Sequence, residues 1–189
     1  MDANGPQFTL LDIRELNALS ELLWAGSTLE EKVAAINVFR RCAGRLDDGS
    51  WLIMDRWVEE AVGWALCDSL GSGPISSMLY RECERFTEVM GWTRSSNMWR
   101  RRISAYATND FVRHGEFERP FALLEKLLYD EEFWVQRAVG TWLRECWKKN
   151  RGRTETFLLE HVRGLPRVII TVATERASKS FREELRRRR

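Results

Sequence analysis

Residues 131–149 read EEFWVQRAVGTWLRECWKK, a stretch whose apolar side chains recur at intervals close to the 3.6-residue period of an α-helix. Asp130 precedes it and belongs to the residue types that cap helix N-termini, so we expect Asp130 to be the N-cap. Gly140 lies inside this strong helical pattern, where glycine costs about 1 kcal/mol relative to alanine. The glycine therefore indicates a close backbone approach, either to another helix or to a phosphate.

The same periodicity continues outward over most of the chain, and strand patterns are nearly absent. We predict about nine helices joined by short turns. They begin near Leu10, at Ser27 or Thr28, near Trp51 (running to about Leu70), after GSGP at 71–74, and after Ser95–Asn97, and then cover about 117–129, 131–149, 154–163 and 166–188. Helices of this length without strands fit either an α-solenoid or a compact bundle. We predict one domain over residues 1–189, with frayed ends at 1–9 and 186–189.

The composition excludes several classes of protein. Apolar residues make up 44% and charged residues 31% of the 189 residues, which suits a globular protein rather than a disordered one. No stretch approaches the roughly 20 apolar residues that cross a membrane, and the first residues lack the basic and apolar regions of a signal peptide. We therefore expect a cytoplasmic protein with no membrane partner.

The cysteines and histidines do not form a metal-binding pattern. The four cysteines are far apart and none belongs to a CxxC pair, so we expect reduced, mostly buried thiols; they are Cys42, Cys67, Cys83 and Cys146. His114 and His161 each stand alone, and neither is assigned a metal or general-base role. We expect no metal and no cofactor.

The net charge of +2 conceals an asymmetry along the chain. Residues 1–93 carry 8 basic and 15 acidic side chains, a net charge of −7, and residues 94–189 carry 22 and 13, a net charge of +9. A basic half indicates an anionic partner, of which nucleic acid is the commonest, or a solvated basic surface. The chain also has nine tryptophans, more than routine core packing explains, and large aromatic rings stack on bases and sugars.

A carboxylate and an indole share one predicted helix face in WLIMDRWVEEAVG, residues 51–63. Trp51 and Asp55 are four residues apart, which places them one turn apart on the same face. The indole would supply a flat, desolvating wall, and the carboxylate would stabilise a cationic transition state or orient water. The alternative is a first-turn aspartate favoured by the helix dipole beside a core tryptophan.

Two further segments concentrate basic side chains. In SSNMWRRRISAYA, residues 95–107, one or two of the arginines must lie near the packed face, because consecutive helix residues point about 100° apart. An arginine held there is either a bidentate phosphate clamp or the partner of a carboxylate. On the helix over 131–149 one stripe carries Arg137, Thr141, Arg144 and Lys148, with tryptophans on the adjoining faces. The chain has no P-loop, GxGxxG, HExxH or GxSxG motif.

These three segments, in this order, resemble the DNA alkylation repair family typified by AlkD, over roughly residues 28–175. The first matches the family's tryptophan, its aspartate four residues on and its glycine eight residues later, which here are Trp51, Asp55 and Gly63. In the second, Arg102 stands three residues after the tryptophan, as in the family. The third, from Gln136 to Glu145, is the most specific match.

The resemblance implies a right-handed α-solenoid of HEAT-like helix pairs with a concave basic groove. It further implies a monofunctional glycosylase, a hydrolase that excises cationic N3- or N7-alkylated purines from duplex DNA. In that interpretation Asp55 stabilises the oxocarbenium-like sugar and positions water, and Trp51 packs against the deoxyribose. Arg102, Arg101 and the stripe that contains Arg137, Thr141, Arg144 and Lys148 would bind the DNA backbone.

One position departs from the family pattern. The family has a tryptophan directly after the glycine of the third segment, whereas this chain has Thr141 there and Trp142 one residue later. One residue rotates a side chain by about 100° on a helix, so Trp142 is a possible cleft wall but not a simple substitute. The cleft is built differently, the range of substrates differs, or the activity is lost.

Three hypotheses therefore stand beside one another. The first is a monomeric alkylpurine glycosylase acting in the cytoplasm on nucleoid DNA. The second is a catalytically inactive module that binds damaged or branched DNA. The third is a protein-interaction scaffold, for which the acidic first half of the chain would be the docking surface.

Overall fold

A computed structural model describes residues 10–189, and that part of the chain is helical without strands. The helices are α1 Ile13–Trp24, α2 Leu29–Arg41, α3 Asp48–Glu60, α4 Trp64–Leu70, α5 Ser76–Arg81, α6 Phe86–Trp92, α7 Met98–Tyr106, α8 Asn109–Arg113, α9 Glu118–Leu127, α10 Phe133–Lys149, α11 Arg151–His161, α12 Arg167–Ala173 and α13 Lys179–Arg188. The predicted all-α solenoid class is confirmed. No helix within 10–189 is both long and apolar enough to cross a membrane.

Local capping signals place several helix starts where the sequence predicts them. Thr28 caps α2 and forms a reciprocal capping box with Glu31. Asn97 caps α7, its side chain accepting a hydrogen bond from the backbone N–H of Trp99 at 2.9 Å. Asp130, in contrast, is not the N-cap of α10, which begins at Phe133. Its carboxylate instead accepts from the backbone N–H of Glu132 and pairs with an arginine of α7.

The predicted third helix, about 51–70, is in fact two helices. The helical dihedral angles end at Ala61, and Gly63 has a φ of 89°, a region that favours glycine. The chain therefore changes direction between α3 and α4. From α4 it continues into α5 through a π-helical turn at Gly71–Ile75, with the kink at Gly73.

The C-terminal part of the chain differs from the prediction in the same way. The predicted helix over 166–188 is α12 followed by α13, and Ser178 caps the second of them. α13 is helical as far as Arg188, so the end that the sequence predicts to fray, 186–189, begins inside this helix. The other predicted frayed end, 1–9, lies outside the described residues.

Four helices pack side by side in the order α4, α7, α10 and α12. Gly140 of α10 permits the close contact between α10 and α12. A Cβ at Gly140 would stand 2.7 Å from Cβ of Val172 and 3.1 Å from the carbonyl oxygen of Ile169, both on α12. The close approach expected at this glycine is therefore to another helix, and this row of helices positions the candidate site.

Candidate functional site

Trp51 and Asp55 of α3 contact side chains of α6 and α7. The Trp51 ring is 3% exposed, stacks on Trp92 at 5.9 Å, and donates a hydrogen bond to the carboxylate of Glu88 at 3.0 Å. Asp55 forms an ion pair with Arg100 at 2.6 Å. Trp51 is thus enclosed by protein on the α3 and α6 side, and little of its surface is left for a deoxyribose.

Arg102 is also buried, and its hydrogen-bonding groups are engaged within the protein. Its Nε and Nη2 donate to the two oxygens of Asp68 at 2.7 and 2.8 Å, and Nη1 donates to the carbonyl oxygen of Trp134. Its side chain is 5% exposed. These donors already hold a carboxylate, so a phosphate would have to compete with Asp68 for them, and the role of Arg102 as a phosphate clamp stays a prediction.

The carboxylate at the centre of this arrangement, Asp68, has the same local pattern as Asp55. Asp68 follows Trp64 by four residues on α4, so the chain contains a second tryptophan and aspartate pair with identical spacing. The prediction from sequence concerned only the pair on α3. The second pair could have been recognised in WALCDSL, residues 64–70, which directly follows the helix-breaking Gly63.

The Asp68 side chain is 20% exposed, and aromatic residues lie one turn before it on α4 and at the start of α10, next to Arg102. Trp64, one turn earlier on α4, is 57% exposed, and Phe133 is 48% exposed. Trp134 stacks edge-on against Phe133 at 5.3 Å and lies 5.7 Å from the Arg102 guanidinium. A partly exposed carboxylate therefore lies in the same part of the fold as two exposed aromatic side chains.

Tyr106 completes the polar side of the site. Its hydroxyl accepts a hydrogen bond from Arg102 Nη2 at 3.2 Å. Burial, with the negative charge of Asp68 as a second cause, raises the pKa of Tyr106 far above its ordinary value. The phenol therefore remains protonated over the whole physiological pH range.

Trp142 of α10 packs against Tyr106. It is 5% exposed and meets the Tyr106 ring edge-on at 5.6 Å, and its indole N–H has no hydrogen-bond acceptor. It lines a small open cavity of about 260 Å³ together with Asn109 and Lys149. Trp142 supports Tyr106 by packing, and only its rim faces solvent.

The remaining predicted DNA-binding residues divide into paired and unpaired cations. Arg101 holds Asp130 through two hydrogen bonds of 2.6 and 3.1 Å, and its predicted contact with the DNA backbone stays a prediction. Arg144 pairs with Glu175, and Lys148 pairs with Glu145 at 2.6 Å. These contacts neutralise most of the predicted basic stripe.

Arg137 and Thr141 are the members of the stripe without such a partner. Arg137 is exposed and packs over the Phe133 ring at 5.8 Å, and it forms no ion pair with another residue in 10–189. Thr141 is partly buried beside the Tyr106 hydroxyl. Both lie on α10 and are at least partly exposed, so they can contact a ligand.

The chemistry available at this site is that of an anionic carboxylate. The buried Arg102 guanidinium fixes the orientation of the Asp68 carboxylate through two hydrogen bonds. A carboxylate so held stabilises a developing positive charge and accepts a hydrogen bond from water. Among the described residues, no group of three or more His, Cys, Asp or Glu side chains could hold a metal ion.

The chain matches a known protein family over most of its length. The family described as DNA alkylation repair enzyme matches residues 7–177. A predicted DNA alkylation repair enzyme from Enterococcus faecalis is similar in structure, with a TM-score of 0.79 at 16% identity over 92% of this chain and 80% of that one. AlkD2 from Streptococcus mutans has a TM-score of 0.72 at 16% identity over 90% and 84%. No curated protein matches the chain in sequence. The family match spans most of the sequence, and the chain belongs to the DNA alkylation repair enzyme family.

Proposed function

We propose that the protein is a DNA glycosylase that hydrolyses the N-glycosidic bond of cationic N3- or N7-alkylated purines in duplex DNA, and that Asp68 rather than Asp55 is the catalytic carboxylate. The family membership supports DNA carrying alkylation damage as the substrate. The position of Asp68 supports the chemistry. Of the two aspartates that follow a tryptophan by four residues, it is the one whose tryptophan is exposed and whose carboxylate is held by Arg102.

The proposed reaction needs little acid catalysis. When the bond between C1′ and the purine nitrogen breaks, its electron pair moves to the purine and cancels the positive charge that alkylation placed there. The sugar becomes an oxocarbenium-like cation, which the Asp68 carboxylate stabilises. Water then adds to C1′ and loses a proton to solvent. The absence of a histidine from the contacts of Asp68 is consistent with this scheme.

Trp64 is the aromatic residue we assign to substrate binding. It is one helical turn from Asp68, and more than half of its surface is exposed, so its ring can lie against a deoxyribose or a base. The role that the sequence assigned to Trp51 passes to Trp64, because Trp51 is buried against Trp92 and Glu88.

The single observation that carries the proposal is the pair of hydrogen bonds from buried Arg102 to the accessible Asp68 carboxylate. The same observation favours a second candidate function. Each Asp68 oxygen already accepts from Arg102, and the guanidinium offsets part of the charge that would act on the sugar. A protein that binds alkylated DNA through this site without excising the base is therefore the alternative.

An excision assay separates these functions. Duplex DNA containing N7-methylguanine is incubated with protein and treated with alkali, and strand breaks are counted. We expect breaks with the wild type and with Asp55→Asn, and a loss of at least about a hundredfold with Asp68→Asn, the typical effect of removing one stabilising group. The two variants make the same chemical change at the same local spacing, so each controls for the other.

Three results would change the assignment. Excision that survives Asp68→Asn but not Asp55→Asn would return the catalytic role to α3. Excision that survives both would contradict a carboxylate mechanism. Tight binding of the methylated duplex without breaks in any protein, wild type included, would establish the second candidate.

A further inference from the structure

We infer that a groove between α12 and α13 is a second binding site, which grips the phosphate backbone of duplex DNA some distance from the damaged base. This inference rests on the proposed DNA substrate and not on the glycosylase step. The groove is an open cavity of about 470 Å³. Its walls carry four arginines and two threonines, namely Arg167, Arg182, Arg186, Arg189, Thr171 and Thr174.

The positive charge of this groove is not neutralised from within the protein. None of its four arginines forms an ion pair with another residue in the described range 10–189, and no Asp or Glu side chain from that range lines it. The carboxylates of α13 lie close to cations that do not line the groove. Glu184 pairs with Arg188 at 2.6 Å, and Glu183 lies 3.9 Å from the ammonium of Lys179.

Four like charges around one cavity repel one another, and the protein carries this cost only where an anion relieves it or where water screens it. Arg182, Arg186 and Arg189 are spaced by four and three residues, which places them on one face of α13. At 1.5 Å per residue the row extends about 10 Å, or about three nucleotide steps of 3.4 Å. A row of this length matches several consecutive phosphates better than it matches a single small anion, and guanidinium groups bind phosphate oxygens in pairs.

The place of the groove in the fold suits the same duplex that reaches Asp68. α12 packs on α10, and α10 packs on α7, which carries Arg102. Neighbouring helix axes are about 8–10 Å apart, so α12 lies about 16–20 Å from α7. That distance corresponds to about five or six base pairs.

The groove differs in this respect from the predicted basic stripe on α10. Arg144 and Lys148 of the stripe pair with Glu175 and Glu145. The arginines of the groove lie on α12 and along α13, two and three helices further along the chain, and form no such pairs within 10–189. The groove therefore holds a part of the basic excess of the second half of the sequence that no Asp or Glu side chain neutralises.

The test measures binding of an undamaged duplex over a range of salt concentrations by fluorescence anisotropy. The groove variant combines Arg167→Gln, Arg182→Gln and Arg186→Gln. A control of equal charge combines Arg163→Gln, Arg176→Gln and Arg187→Gln, which are exposed and do not line this groove. Each lost phosphate contact lowers the slope of log K against log salt by about 0.9, so we expect a fall of about 2 to 3 in the groove variant and of less than about 1 in the control.

Equal slopes for the two variants would overturn the inference, because the effect would then come from net charge alone. An unchanged slope in the groove variant would overturn it as well. Circular dichroism checks that both variants are folded. The probe contains no lesion, so a failure here is distinguishable from a failure of excision, which the Asp68→Asn assay reports separately.

Discussion

The guanidinium of Arg102 and the carboxylate of Asp68 form two parallel hydrogen bonds, Nε to Oδ1 at 2.7 Å and Nη2 to Oδ2 at 2.8 Å. Arg102 lies on α7 and Asp68 on α4, 34 positions apart in sequence. The arginine is almost completely buried, whereas the aspartate reaches solvent. The pair therefore joins two helices of the row and at the same time presents an oriented anion at the surface.

Replacing Arg102 should reveal how strongly this pair couples the two helices. We expect Arg102→Met to lower the free energy of unfolding by about 3 kcal/mol, the lower end of the range for breaking a buried pair, because Asp68 remains partly hydrated. The double variant Arg102→Met with Asp68→Asn should lose clearly less than the sum of the single losses. Urea denaturation measures all three. Strictly additive losses would contradict the coupling.

Trp64 and Trp51 should respond in opposite ways to truncation. Trp64→Ala removes a ring that is 57% exposed, so unfolding should change by less than about 1 kcal/mol, while DNA binding weakens by about 1–3 kcal/mol if the ring stacks on a base or sugar. Trp51→Ala empties a site that is 3% exposed and should cost about 3–5 kcal/mol in stability.

Thermal melting and anisotropy on the methylated duplex measure the two effects separately. A large loss of stability in Trp64→Ala would mean that the ring is a packing element. Unchanged binding in that variant would remove Trp64 from the proposed site.

Gly140 should not tolerate alanine, although alanine is the better helix former. Its Cβ would meet Val172 at 2.7 Å and the Ile169 carbonyl oxygen at 3.1 Å, which forces α10 and α12 apart. Overpacking of this kind typically costs about 1–3 kcal/mol, more than the gain of about 1 kcal/mol in helix propensity. Gly152→Ala on α11 is the matched control, because a Cβ there meets nothing within 4 Å.

We expect Gly140→Ala to lower the melting temperature and Gly152→Ala to raise it or leave it unchanged. Differential scanning calorimetry at one pH compares the two directly. If Gly140→Ala also raised the melting temperature, the two helices would be less closely packed than the structure has them.

The cysteines predict a dependence of reactivity and stability on pH. Burial raises the pKa of the Cys67 thiol to about 12, with the charge of Asp68 as the second cause, and burial raises that of Cys146 to about 12. At pH 8 a thiol reagent should therefore label Cys83, which is partly exposed, well before Cys67 or Cys146.

The sign of the stability effect follows from the same shifts. The folded protein holds these two protons more tightly than the unfolded chain, whose thiols titrate near pH 9. The contribution is complete below pH 9 and is lost as the pH rises from 9 towards 12. Urea denaturation at pH 8, 9.5 and 10.5 should show that the free energy of unfolding falls as the pH rises. The fall should be smaller in the double variant that combines Cys67→Ala and Cys146→Ala.

Much of the fold could be predicted from short-range pattern. The helical period, the capping box of Thr28 and Glu31 and the asparagine cap of α7 involve residues within one turn of each other, so they can be recognised without knowing the fold. The same holds for Gly140, whose cost in a helix indicates a close contact but not whether the contact is a helix or a phosphate. The order of the three motif segments was likewise enough to identify the resemblance to the family.

The site itself could not be predicted in this way, because the chain holds two tryptophan and aspartate pairs with the same four-residue spacing. Local pattern makes Asp55 and Asp68 equivalent. Only tertiary packing distinguishes them: the chain turns at Gly63, α4 packs against α7, and the Arg102 guanidinium meets Asp68 while Asp55 pairs with Arg100. Periodicity is a property of neighbouring residues, whereas an ion pair across 34 positions depends on how whole helices are arranged in space, and that arrangement decided which of the two carboxylates Arg102 holds.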